Sequence, residues 1–316
     1  MSEPEKSTPP NWERDVLEKL ALSAIQEQRR SRRWSILFKT LGFLYLFVVL
    51  FIAVGWFGGD GVSIKEHTAL VDLQGVIASN EANADSVIGS LQNAFEDKKT
   101  KGVILRINSP GGSPVQAGQI YDEIRRLRAL HPTTPLYAVV DDICASGGYY
   151  VAAGADRIYV DKASIVGSIG VLMDGFGFTQ TMQKLGVERR LLTAGENKGF
   201  LDPFSPVDPK QQAYAKQMLE EIHKQFISVV REGRGKRLKE TPETFSGLVW
   251  SGEKSIQLGL ADGLGSVESV AREVIRAEEI VDFTQQESLA ERLAGRLGAT
   301  MAKAWSPFAQ GGVNLR

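Results

Sequence analysis

Asp141-Asp142-Ile143-Cys144-Ala145-Ser146-Gly147-Gly148-Tyr149-Tyr150 is the stretch on which the reading of this chain turns. The apolar run Leu136 to Val140 ahead of it suits a buried strand, and the Ala-rich segment after it, through Asp156, suits a short helix packed closely on its neighbours. Ser146 then stands at a strand-to-helix turn, where the free amides of a helix start can bind negative charge that develops on a substrate oxygen. Gly147 and Gly148 let a substrate backbone approach without a Cβ in the way. Small residues in such a turn also serve tight packing alone, so a catalytic serine needs partners elsewhere in the chain.

Working outward, strands and helices alternate. Thr68 to Ile77 reads as a strand, Asn83 to Lys98 as an amphipathic helix and Gly102 to Ile107 as a buried strand. Val115 to Leu130 carries Val115, Ile120, Ile124 and Leu127 at helical spacing. Leu136 to Val140, Arg157 to Val160 and Val171 to Phe178 read as further strands, and Pro209 to Arg231 as a long helix. Such alternation predicts an α/β domain. Asn108-Ser109-Pro110-Gly111-Gly112 closes one strand and opens the next helix, which makes it a candidate oxyanion-hole loop. It has neither the Gly-Lys-Ser/Thr ending nor the GxGxxG spacing of a phosphate loop, although plain turn chemistry would also use these residues.

A serine hydroxyl is a weak nucleophile and needs a base. Only three histidines are present: His67, His131 and His223. None stands in a glycine-rich or strand-end context, so a Ser-His-Asp triad has little support. Lys198 is the alternative, in Thr193-Ala194-Gly195-Glu196-Asn197-Lys198-Gly199-Phe200-Leu201-Asp202-Pro203-Phe204. A lysine serves as a base only where burial lowers its pKa, by roughly three units for efficient proton transfer near neutrality. Phe200 and Phe204 are placed to supply that desolvation, and Ser168, in Val166-Gly167-Ser168-Ile169-Gly170, to orient the amine.

The chain has 316 residues, a formal net charge of -1 and 24% charged residues, so its totals do not point to nucleic acid. Cys144 is the sole cysteine and forms no intrachain disulfide. Arg29, Arg30, Arg32 and Arg33 precede a segment from Trp34 to Phe57 whose uninterrupted apolar part starts at Leu41. From Trp34 to Trp56 a helix would extend roughly 33 Å, close to a bilayer's hydrocarbon core. The arginine cluster predicts a cytoplasmic N-terminus and an extracytoplasmic remainder. Ala53-Val54-Gly55 offers a small-x-small cleavage pattern, but the polar region ahead of it is too long for an ordinary signal peptide, which favours an uncleaved anchor.

Four motifs, Asn108-Ser-Pro-Gly-Gly112, Ala145-Ser-Gly-Gly-Tyr-Tyr150, Gly167-Ser-Ile-Gly-Val171 and Ala194-Gly-Glu-Asn-Lys198, resemble in order and spacing those of the signal peptide peptidase A (SppA) family in its short, single-domain form. The resemblance spans about Ala69 to Gly265. It implies a ClpP/crotonase-like spiral of β-β-α units, here preceded by one transmembrane helix, and a serine endopeptidase that needs neither cofactor nor metal. By the same resemblance Ser146 is the nucleophile, Lys198 the general base and Ser168 the residue that holds the lysine. Gly147 and either Gly111 or Gly112 form the oxyanion hole. The family implies peptide substrates, cleaved signal peptides among them, contact with membrane lipid and a homo-oligomeric ring in which Ser and Lys can come from adjacent protomers.

The organisation expected is a cytoplasmic segment 1–33, an anchor 34–57, a linker 58–67, a peptidase domain 68–280 and a C-terminal amphipathic helix and tail 281–316, with Leu289, Leu293, Leu297 and Met301 on one helix face. This organisation implies a single-pass protein of the cytoplasmic (inner) membrane. Two other readings stand beside it. A crotonase-type acyl-CoA enzyme would share the fold, and an inactive membrane scaffold would keep the assembly without the chemistry.

Overall fold

The computed structural model describes residues 12–53 and 65–285. They fall in two compact units, of which the second is Ser63–Gln286. The expected C-terminal helix with Leu289, Leu293, Leu297 and Met301 lies outside the described residues, as do positions 58–64 of the expected linker.

In the first unit, helix α1 runs unbroken over Trp12–Ala53. It contains the one helix stretch among the described residues that is long and apolar enough to cross a membrane, Glu27–Phe51. Trp34 stacks on Phe38 and Phe47 on Phe51, one helical turn apart.

The second unit is built on a mostly parallel sheet. Its elements in chain order are β1 (His67–Gln74), α2 (Ala84–Glu96), β2 (Thr100–Ser109), α3 (Pro114–Leu130), β3 (Leu136–Ala145), α4 (Gly147–Ala152), β4 (Arg157–Val160), β5 (Ile165–Gly167), α5 (Thr179–Leu185), α6 (Pro209–Arg234), β6 (Val249–Ser251), α7 (Gly252–Gln257), β7 (Gly263–Leu264) and β8 (Ile280–Asp282). Strand order is β6-β5-β3-β2-β1-β8, with β4 paired to β3 and to β7. All these pairings are parallel except β5 with β6.

Alternation along the central strands sorts their side chains to two faces. Val71 and Leu73 of β1, Val103, Leu105 and Ile107 of β2, and Leu136, Ala138 and Val140 of β3 meet Val87, Leu91 and Phe95 of α2 and Ile120, Ile124 and Leu127 of α3. Leu70, Ile104 and Val139 point the other way, to Tyr159, Val267, Val270 and Ala271. Both faces are therefore covered, as expected of a parallel sheet. The helix starts are capped by short polar side chains. Asn83 accepts from the Ser86 amide at 2.9 Å, and Ser113, with Pro114 next to it in the first turn, accepts from the Gln116 amide at 3.4 Å.

Three strand readings need adjustment. The run from Thr68 ends as a strand at Gln74, and Ile77 forms only an isolated bridge to Gly112. Leu136 to Val140 continues to Ala145 across an irregularity: Ile107 pairs with Val140, but Ser109 pairs with Cys144. Two extra residues of β3 are accommodated there, which bends the end of the strand and re-aims the turn at Ser146. Val171 to Phe178 forms no strand. Leu172 and Phe176 are 81% and 80% exposed, so the segment has strand-like composition without a neighbouring strand to pair with.

Candidate active site

Ser146 comes directly after β3 and caps α4, with φ +51° and ψ −121°. A side chain at positive φ away from glycine costs on the order of 1–3 kcal/mol, and such strain at a strand-to-helix turn is the form that holds a nucleophile clear of the backbone. Its own amide donates to the Gly167 carbonyl at 2.9 Å. That bond continues the pairing of β3 with β5, in which Ala145 lies opposite Gly167, so Ser168 comes alongside Ser146 one residue beyond each strand. Ser168 also has φ +51°, and its amide donates to the Leu248 carbonyl at 2.8 Å.

The glycine loop closes on the same turn. Gly111 has φ +105° and Gly112 φ +149°. A Cβ on Gly111 would lie 2.7 Å from both the Ser146 Cβ and the Gly147 nitrogen, and one on Gly112 would lie 2.3 Å from the Ile77 carbonyl oxygen. Neither position admits a side chain. Peptide geometry then distinguishes the two amides. The Gly111 N–H donates to the Ser109 hydroxyl at 3.2 Å. The Gly111 carbonyl accepts from Ile77 N–H at 2.8 Å, and in a trans peptide the Gly112 N–H points opposite to that carbonyl. It is thereby turned away from Ile77. A Cβ on Gly147 would sit 3.2 Å from the Gly112 nitrogen, so these two amides are neighbours. Neither makes a hydrogen bond among the described residues.

Gly112, Ser146, Gly147 and Ser168 line one cavity of about 710 Å³. Tyr150, Val171, Leu172, Met173, Met218, Ile222 and Phe226 make the rest of its wall largely apolar. A larger cavity, about 900 Å³, lies between residues 173–208 and α6, and none of the candidate residues lines it.

Lys198 is not brought to Ser146 within the chain. It is exposed, its amide closes a turn onto the Gly195 carbonyl at 3.1 Å, and its side chain does not line the Ser146 cavity. The expected desolvation is absent there as well. Phe200 packs edge-on against Tyr214, while Phe204 stacks on Phe178 beneath the Arg189 guanidinium.

The histidines are placed elsewhere. His67 is fully buried and stacks on Phe283, His131 caps α3 against Phe95, and His223 on α6 bonds the Ile169 carbonyl at 3.1 Å. None lines the cavity. The neighbouring Cys144 is fully buried, and burial pushes its thiol far above the usual range, so it stays protonated and inert. Residues that sequence reasoning passed over are Ile77, whose backbone orients the glycine loop, and Leu248 and Trp250, which hold the Gly167–Ser168 turn.

Comparison with known proteins bears on this arrangement. The model of peptidase family S49 matches residues 128–281. A protein of Methanocaldococcus jannaschii named as a protease is 32% identical over 219 residues, which cover 68% of this chain and 70% of that one. A protein of Enterococcus faecium named as signal peptide peptidase SppA is 28% identical over 234 residues, covering 71% and 67%. Na(+)/H(+) antiporter NhaA of Brucella melitensis is 47% identical over 187 residues, 59% of this chain. That match spans a quarter of the Brucella protein's length, and the antiporter name belongs to that protein. With the family model covering Ser146 and strands β3 to β7, and a protease relative aligned along more than two thirds of its own length, the chain belongs to peptidase family S49, the SppA family of serine peptidases.

Proposed function

We propose that this chain is a membrane-anchored serine endopeptidase that cleaves apolar peptides, released signal peptides among them, through a Ser146/Lys198 dyad. The observation that carries the reading is the convergence of Ser146 with two unbonded amides, Gly112 and Gly147, at one apolar cavity. Amides held in place before reaction stabilise a developing oxyanion without reorganisation. The Ser146 hydroxyl attacks the scissile carbonyl as the Lys198 amine takes its proton. The oxyanion rests on the Gly112 and Gly147 amides. On collapse the C–N bond breaks and the leaving amine takes the proton from Lys198. Water then attacks the acyl-enzyme as the Lys198 amine takes its proton; the bond from Ser146 Oγ to the acyl carbon breaks, and that proton passes to Oγ as the second product leaves.

Lys198 meets Ser146 between copies in this reading. Its exposure, and its place outside the wall of its own chain's cavity, support a site completed by a neighbour's lysine. Residues 171–208 carry exposed Leu172, Phe176 and Leu192, the last 96% exposed, which is apolar area suited to a homo-oligomeric ring. A neighbour seated there would also cover the amine, as a lysine base requires. Ser168, beside Ser146, is placed to accept from that amine. The apolar wall of the cavity favours apolar side chains at the cleaved bond. Helix α1 holds the catalytic unit at the membrane, with the N-terminus cytoplasmic and the peptidase unit on the far side.

The test is hydrolysis of a synthetic signal peptide by the full chain in detergent micelles, comparing wild type with Ser146→Ala and Lys198→Ala across pH. Loss of about three orders of magnitude or more in each variant, with wild-type activity rising along a basic limb, is the expected result. Unchanged cleavage by Lys198→Ala removes that base. No cleavage by an assembled wild type replaces the enzyme with an inactive scaffold of the same fold.

A further inference from the structure

We infer that Ser109 is a positioning residue for the oxyanion hole, acting through Gly111 on the direction of the Gly112 amide. The inference rests on the peptidase reading of this site. Ser109 ends β2, and its side chain is fully buried. Its Oγ accepts from the Gly111 N–H at 3.2 Å, the short side-chain-to-backbone bond by which serine fixes the residue two positions on. Its carbonyl oxygen lies under α4, since a Cβ on Gly148 would come 3.0 Å from it. One residue therefore sets both the entry to the glycine loop and the spacing between that loop and the helix that begins after Ser146.

The reason it matters lies in the two peptide groups that flank Gly111. Glycine at φ +105° carries little steric preference of its own, so its orientation has to be imposed by bonds. The peptide after Gly111 is held by Ile77, whose N–H reaches the Gly111 carbonyl at 2.8 Å, and this directs the Gly112 N–H away from Ile77. The peptide before Gly111 is held by Ser109 alone among the described side chains. Without the hydroxyl, the Gly111 N–H is left buried and unpaired, and rotation of the loop to find a new acceptor moves the Gly112 amide with it. The register break that places Ser109 opposite Cys144, two residues before Ser146, is what brings this hydroxyl beneath the loop.

A serine that only filled space here would affect stability, substrate binding and turnover together. A positioning serine affects selectively the states that carry an oxyanion. The experiment uses the full chain in detergent micelles as wild type, Ser109→Ala and Ser109→Cys, the last keeping volume with a weaker acceptor. It measures kcat and KM on an apolar peptide substrate, and inhibition by a peptide aldehyde, whose adduct with Ser146 bears the oxyanion, beside the matching peptide alcohol, which forms no adduct. For Ser109→Ala the expected kcat is about 10- to 100-fold lower, part of the 10²–10³ lost when an oxyanion donor is removed outright. KM and alcohol inhibition stay within about twofold, aldehyde inhibition weakens in step with kcat, and Ser109→Cys falls between. Unchanged kcat in both variants, or parallel losses in kcat, KM and alcohol binding in whichever variant folds, overturns the assignment. A wild type that neither cleaves peptide nor binds the aldehyde removes the peptidase reading and this role together.

Discussion

Ile77 grips the glycine loop from another part of the chain: its N–H donates to the Gly111 carbonyl at 2.8 Å, and its own carbonyl oxygen lies against Gly112. The same contact makes Gly112 intolerant of change: a Cβ there would lie 2.3 Å from a backbone oxygen. Gly112→Ala is therefore expected to lower kcat at least about 100-fold, the scale of losing an oxyanion donor, with the circular dichroism of the sheet retained. Full activity in that variant would return the donor role to Gly111. Reagent selectivity tests the neighbouring pair. Cys144 is buried and protonated while Ser146 faces a cavity. A fluorophosphonate should abolish activity and label Ser146, and iodoacetamide should leave activity intact; inactivation by iodoacetamide would show Cys144 to be accessible.

At the scale of elements, segments with an apolar pattern of their own were readable, down to the four residues of β4, and the shorter β5 was not. The expected helices Asn83 to Lys98 and Val115 to Leu130 appear as Ala84–Glu96 and Pro114–Leu130, because each presents its own apolar stripe and capping residue. Strand β5 has only three residues and owes its pairing to β3 and β6, and nothing local announces it. Val171 to Phe178 errs the other way, since its composition favours a strand that no partner completes. The join between α6 and the segment after α7 also depends on distant residues. Arg234, 1% exposed, donates to the Gly259 carbonyl at 2.9 Å and to Asp262 at 2.8 Å. Burial opposes ionisation of Asp262, yet the Arg234 hydrogen bond and charge, the Ile158 amide and Arg237 outweigh it and hold the carboxyl below the usual aspartate range. The stabilisation is therefore complete above the unfolded aspartate pKa near 3.9 and is lost as pH falls through the lower folded value. Asp262→Asn should be less stable at pH 7 by up to about 3–5 kcal/mol, because a buried guanidinium loses its counter-charge. It should also lose less further stability than wild type on acidification below about pH 4. Denaturant titrations at pH 7 and pH 3 measure both quantities, and parallel pH dependence in the two proteins would mean that Asp262 does not ionise as described.

At the scale of the whole molecule, the proposed nucleophile and the proposed base are separated by their surroundings. Ser146 and its amides form a cavity within one chain, whereas Lys198 belongs to an exposed, apolar excursion beyond it. Motif spacing along one chain points to both residues as a candidate pair but carries no information on whether one copy of the chain or two would supply them. A ring with head-to-tail contacts repeats one interface, so each site would take its serine from one copy and its lysine from the next. Mixing decides the matter. Ser146→Ala chains carry an intact lysine and Lys198→Ala chains an intact serine, and each protein alone is expected to be inactive. When the two are co-expressed in equal amounts, a site is complete if a Lys198→Ala copy supplies the serine and a Ser146→Ala copy the adjacent lysine. For random assembly that is about a quarter of all interfaces in a heterologous ring. Signal-peptide hydrolysis should therefore recover to about a quarter of the wild-type rate per site in co-assembled rings, and stay at background when separately assembled samples are combined without subunit exchange. Background activity in verified mixed rings would place serine and lysine in the same copy, and the exposed loop around Lys198 would then have to fold back onto its own cavity before reaction.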